Sequence, residues 1–425
     1  AQGAEAFVAE LRARQSAAVE VVIGSAPAAP GAAGATGVPE QPPAGRSADT
    51  PPRGLSTAWS PVETVCWSPS APRTTSFAGA LYTPCWVSVH AKRPTHTMAD
   101  VLFNFGWADP DRLTRMVLAW QHLVRAIGPD LVIADSSPGL RLAVAGQNPL
   151  VMIGTPFSIP PEIAPLPPVR YWATKIPKQS VSHEQQVLEA VRNTIAAVPN
   201  DWIPQNLGQV FRGETNFIFG MPVFDPYNRY RKESLAGLLD MQGLVGAGGE
   251  GNRKEGHAVF VYLYASQQLS RRVLQSLLDC ECAKITAFIP GMEDTLPAFI
   301  KKQITCSALP LPVREIVARH TAVIHHGGSM AQTILAAGLP QLIFPSHLEQ
   351  FITGRKIAEL GVGMMVTPQA AQRPELVATA VKRFFGRDTL HKSARKWSDE
   401  HAQQSPSCTT DSIIEKCRNL LPKNR

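Results

Sequence analysis

No run in this 425-residue chain approaches the ~20 consecutive apolar positions that a helical membrane span needs, although apolar residues make up 44% of it. Cysteine is sparse. There are seven, only Cys280 and Cys282 lie close together, and the absence of any Cys-x-x-Cys pair excludes a zinc ribbon. The odd count and the scatter fit reduced thiols. Acidic residues are outnumbered, 34 against 41 Lys and Arg, for a formal charge of +7. The basic residues are dispersed and no nucleic-acid-binding motif occurs, so nucleic acid is not an expected partner. The excess instead suits attraction to polyanionic small molecules, or peripheral contact with an anionic membrane surface. The opening Ala1-Gln2-Gly3-Ala4-Glu5 has neither the basic nor the apolar region of a secretory signal, and the expected location is cytoplasmic.

A chain of this length is expected to hold two domains. Residues 1–99 read as a partial, largely irregular segment. A short helix (Glu5–Gln15) and a strand (Ala18–Ile23) give way to a stretch dominated by Pro, Gly, Ala, Ser and Thr as far as Thr75. Residues 100–242 read as a first Rossmann-like domain. Asp109 caps a helix with Pro110 at its first position, Pro129–Asp135 and Leu150–Gly154 are buried strands, and Ser182 with Gln185 forms a capping box for a helix over His183–Ala197. Six glycines in 243–256 mark a linker, set at 243–257. Over 258–385 strands and helices alternate regularly. Residues 386–425 form a helical tail whose Lys416, Arg418, Lys423 and Arg425 are placed to return to the first domain. The fold class is therefore α/β, with two Rossmann-like domains built on parallel sheets.

The sharpest signal is Thr321–Gln350. An apolar strand runs into His325-His326-Gly327-Gly328-Ser329, and a helix follows directly. Glycines there admit close backbone approach, and the N–H groups at a helix start favour an anion. The next strand ends at Pro345. Glu349 and Gln350 then reach the same crevice at the carboxyl ends of the strands, where a carboxylate beside an amide suits vicinal sugar hydroxyls.

This combination, with Gly338-Leu339-Pro340-Gln341 between its parts, resembles the donor signature of GT-B glycosyltransferases, the inverting enzymes related to macrolide, antibiotic and lipid glycosyltransferases. The likeness is good over 258–385 and loose over 100–240. It implies that His326 contacts a donor diphosphate, that Gly327, Gly328 and Ser329 supply backbone contacts, and that Glu349 and Gln350 hold sugar hydroxyls. It also implies metal-independent transfer from a nucleoside-diphosphate sugar to an acceptor hydroxyl, with no other cofactor. Met330-Ala331 departs from the family pattern, leaving Ser329 to supply any hydroxyl contact to phosphate. In the family a histidine in the first strand-to-helix loop of the N-terminal domain deprotonates the acceptor, and a carboxylate orients it. Asp135 matches that carboxylate. The histidine loop has no counterpart, because residues 5–23 look like the family's first helix and second strand. An incomplete or altered N-terminus with a weakened or absent base is the expectation, and a catalytically impaired nucleotide-sugar-binding protein stays open as an alternative. His90, His96 and His122 are conceivable substitutes, each better read as an ordinary loop or helix residue.

Other constellations compete. Asp109-Pro110-Asp111 mimics a DxD metal motif but reads as a helix cap. His320, His325, His326 and His347 do not converge as metal ligands, since adjacent strand residues point to opposite faces. Ser329 in Gly-Gly-Ser-Met-Ala, with Asp388 and then His391 or His401, keeps the residue order of an α/β-hydrolase-like esterase, although the elbow wants glycine where Ala331 stands. A sugar-nucleotide epimerase on the same architecture is a further reading.

Overall fold

The computed structural model describes residues 22–27, 61–67, 79–82, 94–198, 200, 202–239, 241, 243–248, 257–264, 266–280, 284–290, 292, 296–402 and 407–421. The expected helix over Glu5–Gln15 and His90 lie outside them.

The first half begins with β1 (Val22–Pro27), β2 (Pro61–Trp67) and β3 (Gly79–Tyr82). Then come α1 (Met98–Asn104), α2 (Pro110–Ile127), β4 (Val132–Asp135), α3 (Pro138–Val144), β5 (Leu150–Gly154), α4 (Lys178–Ala197), β6 (Thr215–Ile218) and the short β7 (Leu238–Leu239). One six-stranded sheet has the order β3-β2-β1-β4-β5-β6. Its strands β1, β4, β5 and β6 are parallel, and β2 runs antiparallel to both β1 and β3. Within residues 24–75, read as irregular, the described segments 24–27 and 61–67 are strands, and the rest lies outside the described residues. Strand pairing draws on backbone groups, which a Pro- and Ala-rich composition does not reveal. It also places one antiparallel strand in a sheet expected to be wholly parallel.

Capping chemistry fixes α2 as expected. The Asp109 carboxylate accepts from the Arg112 N–H at 3.1 Å, so Asp109-Pro110-Asp111 is a helix start. The helix buries Leu113, Val117, Trp120 and Val124 along one stripe. In contrast, α4 starts at Lys178, five residues before the expected start at His183, and Ser182 lies inside it. Tertiary contacts recruit the extra turn: the Ser180 hydroxyl and His183 Nδ1 both bond to the buried Asp100.

The second half alternates without exception. It comprises β8 (Ala258–Tyr262), α5 (Gln267–Leu278), β9 (Lys284–Phe288), α6 (Ala298–Lys301), β10 (Thr305–Cys306), α7 (Val313–Arg319), β11 (Ala322–His325), α8 (Met330–Ala336), β12 (Gln341–Ile343), α9 (Leu348–Glu359) and β13 (Gly363–Met365). Its sheet is fully parallel, in the order β10-β9-β8-β11-β12-β13. That order reverses between β8 and β11, and a crevice at the carboxyl ends of those two strands is where doubly wound sheets bind ligands. Val259, Val261, Ile324 and Leu342 are completely buried, as strands covered by helices on both faces require.

Three helices follow β13: α10 (Pro368–Ala371), α11 (Pro374–Phe385) and α12 (Asp388–Trp397). Beyond them β14 (Ser407–Cys408) pairs with β7, and α13 (Thr410–Arg418) packs on the first sheet. Its Ile413, Ile414 and Cys417 share a core with Leu131, Ile133, Val151, Ile153 and Phe217. The Lys416 ammonium sits 5.3 Å from the centre of the Phe217 ring, so the tail does return to the first half. Among the described residues no helix is long and apolar enough to cross a membrane.

Candidate active site

The turn after β11 stands at the reversal point of the second sheet. Gly327 has φ +93, and a Cβ there would lie 2.8 Å from Ile343 Cγ2 and 3.1 Å from the Gln350 carbonyl oxygen. Only glycine fits. Gly328 and Ser329 are exposed, and among the described residues no carbonyl or side chain accepts from the N–H groups of Gly328, Ser329 or Met330. Three donors thus face the crevice with the positive end of α8 behind them.

The two histidines before the turn are buried and neutral, and they hold opposite tautomers. The Gly327 N–H donates to His325 Nδ1 at 3.1 Å, so Nε2 carries the proton and donates to Gln341 Oε1 at 2.8 Å. In His326, Nδ1 carries the proton and donates to the Phe344 carbonyl at 2.6 Å, while Nε2 accepts from the Tyr264 N–H at 2.9 Å. Burial brings both imidazoles down to about 4. The sequence favoured His326 as the diphosphate contact. In this arrangement both its ring nitrogens are committed to backbone groups, and it braces the crevice; the turn's N–H groups are what face outward.

Tyr264, which the sequence reading passed over, is the second brace. Its ring meets His326 edge-on at 4.4 Å between centroids, and its hydroxyl accepts from Gln350 Nε2 at 2.9 Å. Gln350 is 3% exposed, and its Oε1 accepts from both the N–H and the hydroxyl of Ser346. Its amide therefore organises the start of α9. Glu349 points elsewhere: Oε1 accepts from the Thr155 hydroxyl at 2.6 Å, a bond from the second half to the loop after β5. Burial lifts the Glu349 carboxyl above the usual carboxylate range, Thr155 pulls it down, and the charge of Asp135 adds to the lift.

Asp135 ends β4, aligned with Gly24 of β1 and Ile153 of β5. It too lies at a reversal of strand order, that of the first sheet. Burial raises its carboxyl, against the pull of the Ser136 hydroxyl. Ser136 adopts φ +50 and donates to Ser158 Oγ at 2.6 Å. Gly154 leaves room for that pair, since a Cβ there would stand 2.6 Å from Ser158 Oγ. The strand-end hydroxyls of Ser136, Ser158 and Thr155 form a hydrogen-bonded run beside Asp135 that ends on the Glu349 carboxylate.

The hydrolase arrangement does not form. His391 stacks on His257, which precedes β8, whereas Ser329 follows β11. The strands are parallel, so these are opposite ends of the sheet, roughly 16 Å apart over five residues. His401 stacks on Trp397 and bonds to its carbonyl, next to the far end of α8 where Ser398 donates to the Ala336 carbonyl. Ser329 itself has ordinary helical angles, φ −53 and ψ −32, not those of a strained elbow. His122 lies on the exposed face of α2, and His96 engages by backbone: its N–H to Asp100, its carbonyl to the Val169 N–H.

Residues 273–420 match the family described as the erythromycin biosynthesis protein CIII-like C-terminal domain. L-demethylnoviosyl transferase of Streptomyces niveus is 25% identical over 118 residues, which is 27% of this chain and 31% of that protein. Elloramycin glycosyltransferase ElmGT of Streptomyces olivaceus is 33% identical over 90 residues, or 21% and 22% of the two chains. The matched stretch thus spans less than a third of either relative. The solved structure of spinosyn rhamnosyltransferase SpnG superposes with a TM-score of 0.51 at 16% identity, over 74% of this chain and 80% of that one, and it has also been solved with thymidine diphosphate. That likeness concerns the fold, which is that of GT-B glycosyltransferases, and the C-terminal family match over residues 273–420 agrees with it.

Proposed function

We propose that this chain transfers a sugar from a nucleoside diphosphate to an acceptor hydroxyl, without a metal and with inversion at the anomeric carbon. The observation that carries the reading is the meeting of two strand-end clusters. The outward N–H groups of Gly328, Ser329 and Met330 lie at the switch point of one sheet, Asp135 lies at that of the other, and Glu349 crosses between the halves to Thr155.

In this reading the diphosphate sits on the turn at Gly327–Met330. Fixed backbone dipoles there stabilise the charge that grows on the leaving nucleoside diphosphate. His326 acts by holding the turn against Tyr264 and Phe344. Glu349 exchanges its Thr155 partner for sugar hydroxyls. Asp135 faces the acceptor and receives, or orients the group that receives, the acceptor's proton. Binding of thymidine diphosphate by SpnG supports a nucleotide donor.

The test is a thermal-shift screen of UDP-, dTDP- and GDP-sugars, because a ligand that binds only the folded state raises the midpoint in proportion to its affinity. Sugar transfer to hydroxylated aglycones, followed by mass spectrometry with and without EDTA, completes it. A chain whose midpoint no nucleotide sugar moves would sink the reading.

A further inference from the structure

Helix α9 belongs to the second half by sequence, yet its length is gripped by the first. Leu348 and Ile352 pack into the first half's core, where Ile352 is 4% exposed. One turn further on, the Arg355 guanidinium lies 4.0 Å above the centre of the Trp172 ring, and the Lys356 ammonium 3.7 Å from that of Tyr171. The Tyr171 hydroxyl donates to Glu359 Oε2 at 2.6 Å, and Arg355 Nε donates to the other oxygen of the same carboxylate at 2.7 Å. Positions 348, 352, 355, 356 and 359 form a single stripe at helical spacing. Its positions 355, 356 and 359 meet Tyr171 and Trp172 at the end of the loop that begins at Thr155.

Glu349 sits in the first turn of this helix, and Thr155, at the head of the same loop, holds its carboxylate. A helix transmits displacement along its axis. A clamp on the last two turns therefore sets where the first turn presents its carboxylate. We propose that Tyr171 and Trp172 are positioning residues for Glu349, acting through α9, so that the acceptor-side loop tunes recognition of the donor sugar. This rests on the reading of Glu349 as the sugar-holding carboxylate given above. A clamp that merely glued the halves together would weaken nucleotide and nucleotide sugar alike. A positioning clamp weakens only the sugar-bearing ligand, because the bare diphosphate needs the turn at Gly327–Met330 and not Glu349.

The experiment is isothermal titration of the full chain with dTDP, dTDP-glucose, UDP and UDP-glucose, in the unaltered chain and in Trp172→Leu, Tyr171→Phe and Arg355→Gln. The expected result is an unchanged Kd for the nucleotide and a tenfold or greater rise for its glucose conjugate in Trp172→Leu, with smaller rises in the other two. Equal weakening of both ligands, or no change in any variant, overturns the proposal while leaving the transferase reading intact. Failure of the unaltered chain to bind any of the four removes both. Should Trp172→Leu not fold, the two milder variants decide, since Tyr171→Phe deletes only the bond to Glu359 and Arg355→Gln removes the charge while both aromatic rings stay in place.

Discussion

The Tyr264 N–H donates to His326 Nε2 at 2.9 Å, and this bond ties the ends of β8 and β11 across the point where strand order reverses. It requires a neutral ring, and so does the bond from Gly327 to His325. Both imidazoles titrate near 4 when folded and near the ordinary 6.5 when unfolded. Their contribution is complete above the unfolded value and is lost as pH falls from there towards 4. At pH 5 the loss should be about 2 kcal/mol for each histidine. Asp135 and Glu349, with raised carboxyls, titrate in the opposite sense, so the informative quantity is a slope. Urea unfolding between pH 7 and pH 5 should show a shallower loss in His325→Asn than in the unaltered chain. Equal slopes would mean that His325 is not held neutral by the fold.

Asp135→Asn should separate chemistry from binding. Loss of a group that takes or directs a proton lowers turnover by about 10²–10⁴-fold. Nucleotide affinity should stay close to that of the unaltered chain, because the turn at Gly327–Met330 is untouched. Burial raises the Asp135 carboxyl, so the acid limb of the rate profile should fall above the ordinary carboxylate range and vanish in the variant. A variant that keeps full turnover at neutral pH would exclude Asp135 from the reaction.

Two neighbouring glycines make a matched pair of tests. Gly327→Ala forces a side chain into a left-handed conformation at about 1–2 kcal/mol and against Ile343 as well. Gly328→Ala meets nothing within 4 Å. The first should lower the melting midpoint and abolish nucleotide binding. The second should leave the midpoint in place and weaken nucleotide binding only through the methyl group at the mouth of the crevice. Similar midpoints in both would show that the turn is not as tight as described.

Asp100 anchors the start of α1 to α4 through the N–H groups of His96 and Thr97, the Ser180 hydroxyl and His183 Nδ1. These bonds outweigh its burial and hold the carboxyl below the usual range. Its stabilisation is therefore present above the unfolded carboxylate value and disappears as pH falls through the folded one. Asp100→Asn should cost about 3 kcal/mol in chemical denaturation at pH 7, the scale of losing hydrogen bonds to a buried carboxylate. A cost below a third of that would mean the four bonds are replaceable.

What the sequence disclosed follows from period and punctuation. The second sheet was legible because apolar strands and helices alternate there with glycine at the turns, and α11 ends at Phe385, the bound read for that unit. The glycine turn and Glu349 were visible because conformational freedom and charge are properties of single residues. The roles of Tyr264, Thr155, Tyr171 and Trp172 were not. Each acts on a residue far away in the chain, as Thr155 does on Glu349, and no local pattern records such a partner. The early start of α4 has the same origin, since Asp100 supplies the bonds that extend it. His326 shows the limit of motif reading: its place was found, but its ring nitrogens turned inward to backbone groups that the motif does not contain.

The return of α13 to the first sheet has a consequence for biosynthesis. Leu131, Ile133, Val151 and Phe217 stay uncovered on one face until Ile413, Ile414 and Cys417 arrive, and the entire second sheet is translated in between. The first half must therefore wait on the ribosome with an apolar surface bare. Premature stop codons anywhere beyond the second sheet should yield aggregation of an otherwise finished fold, not a smaller working protein.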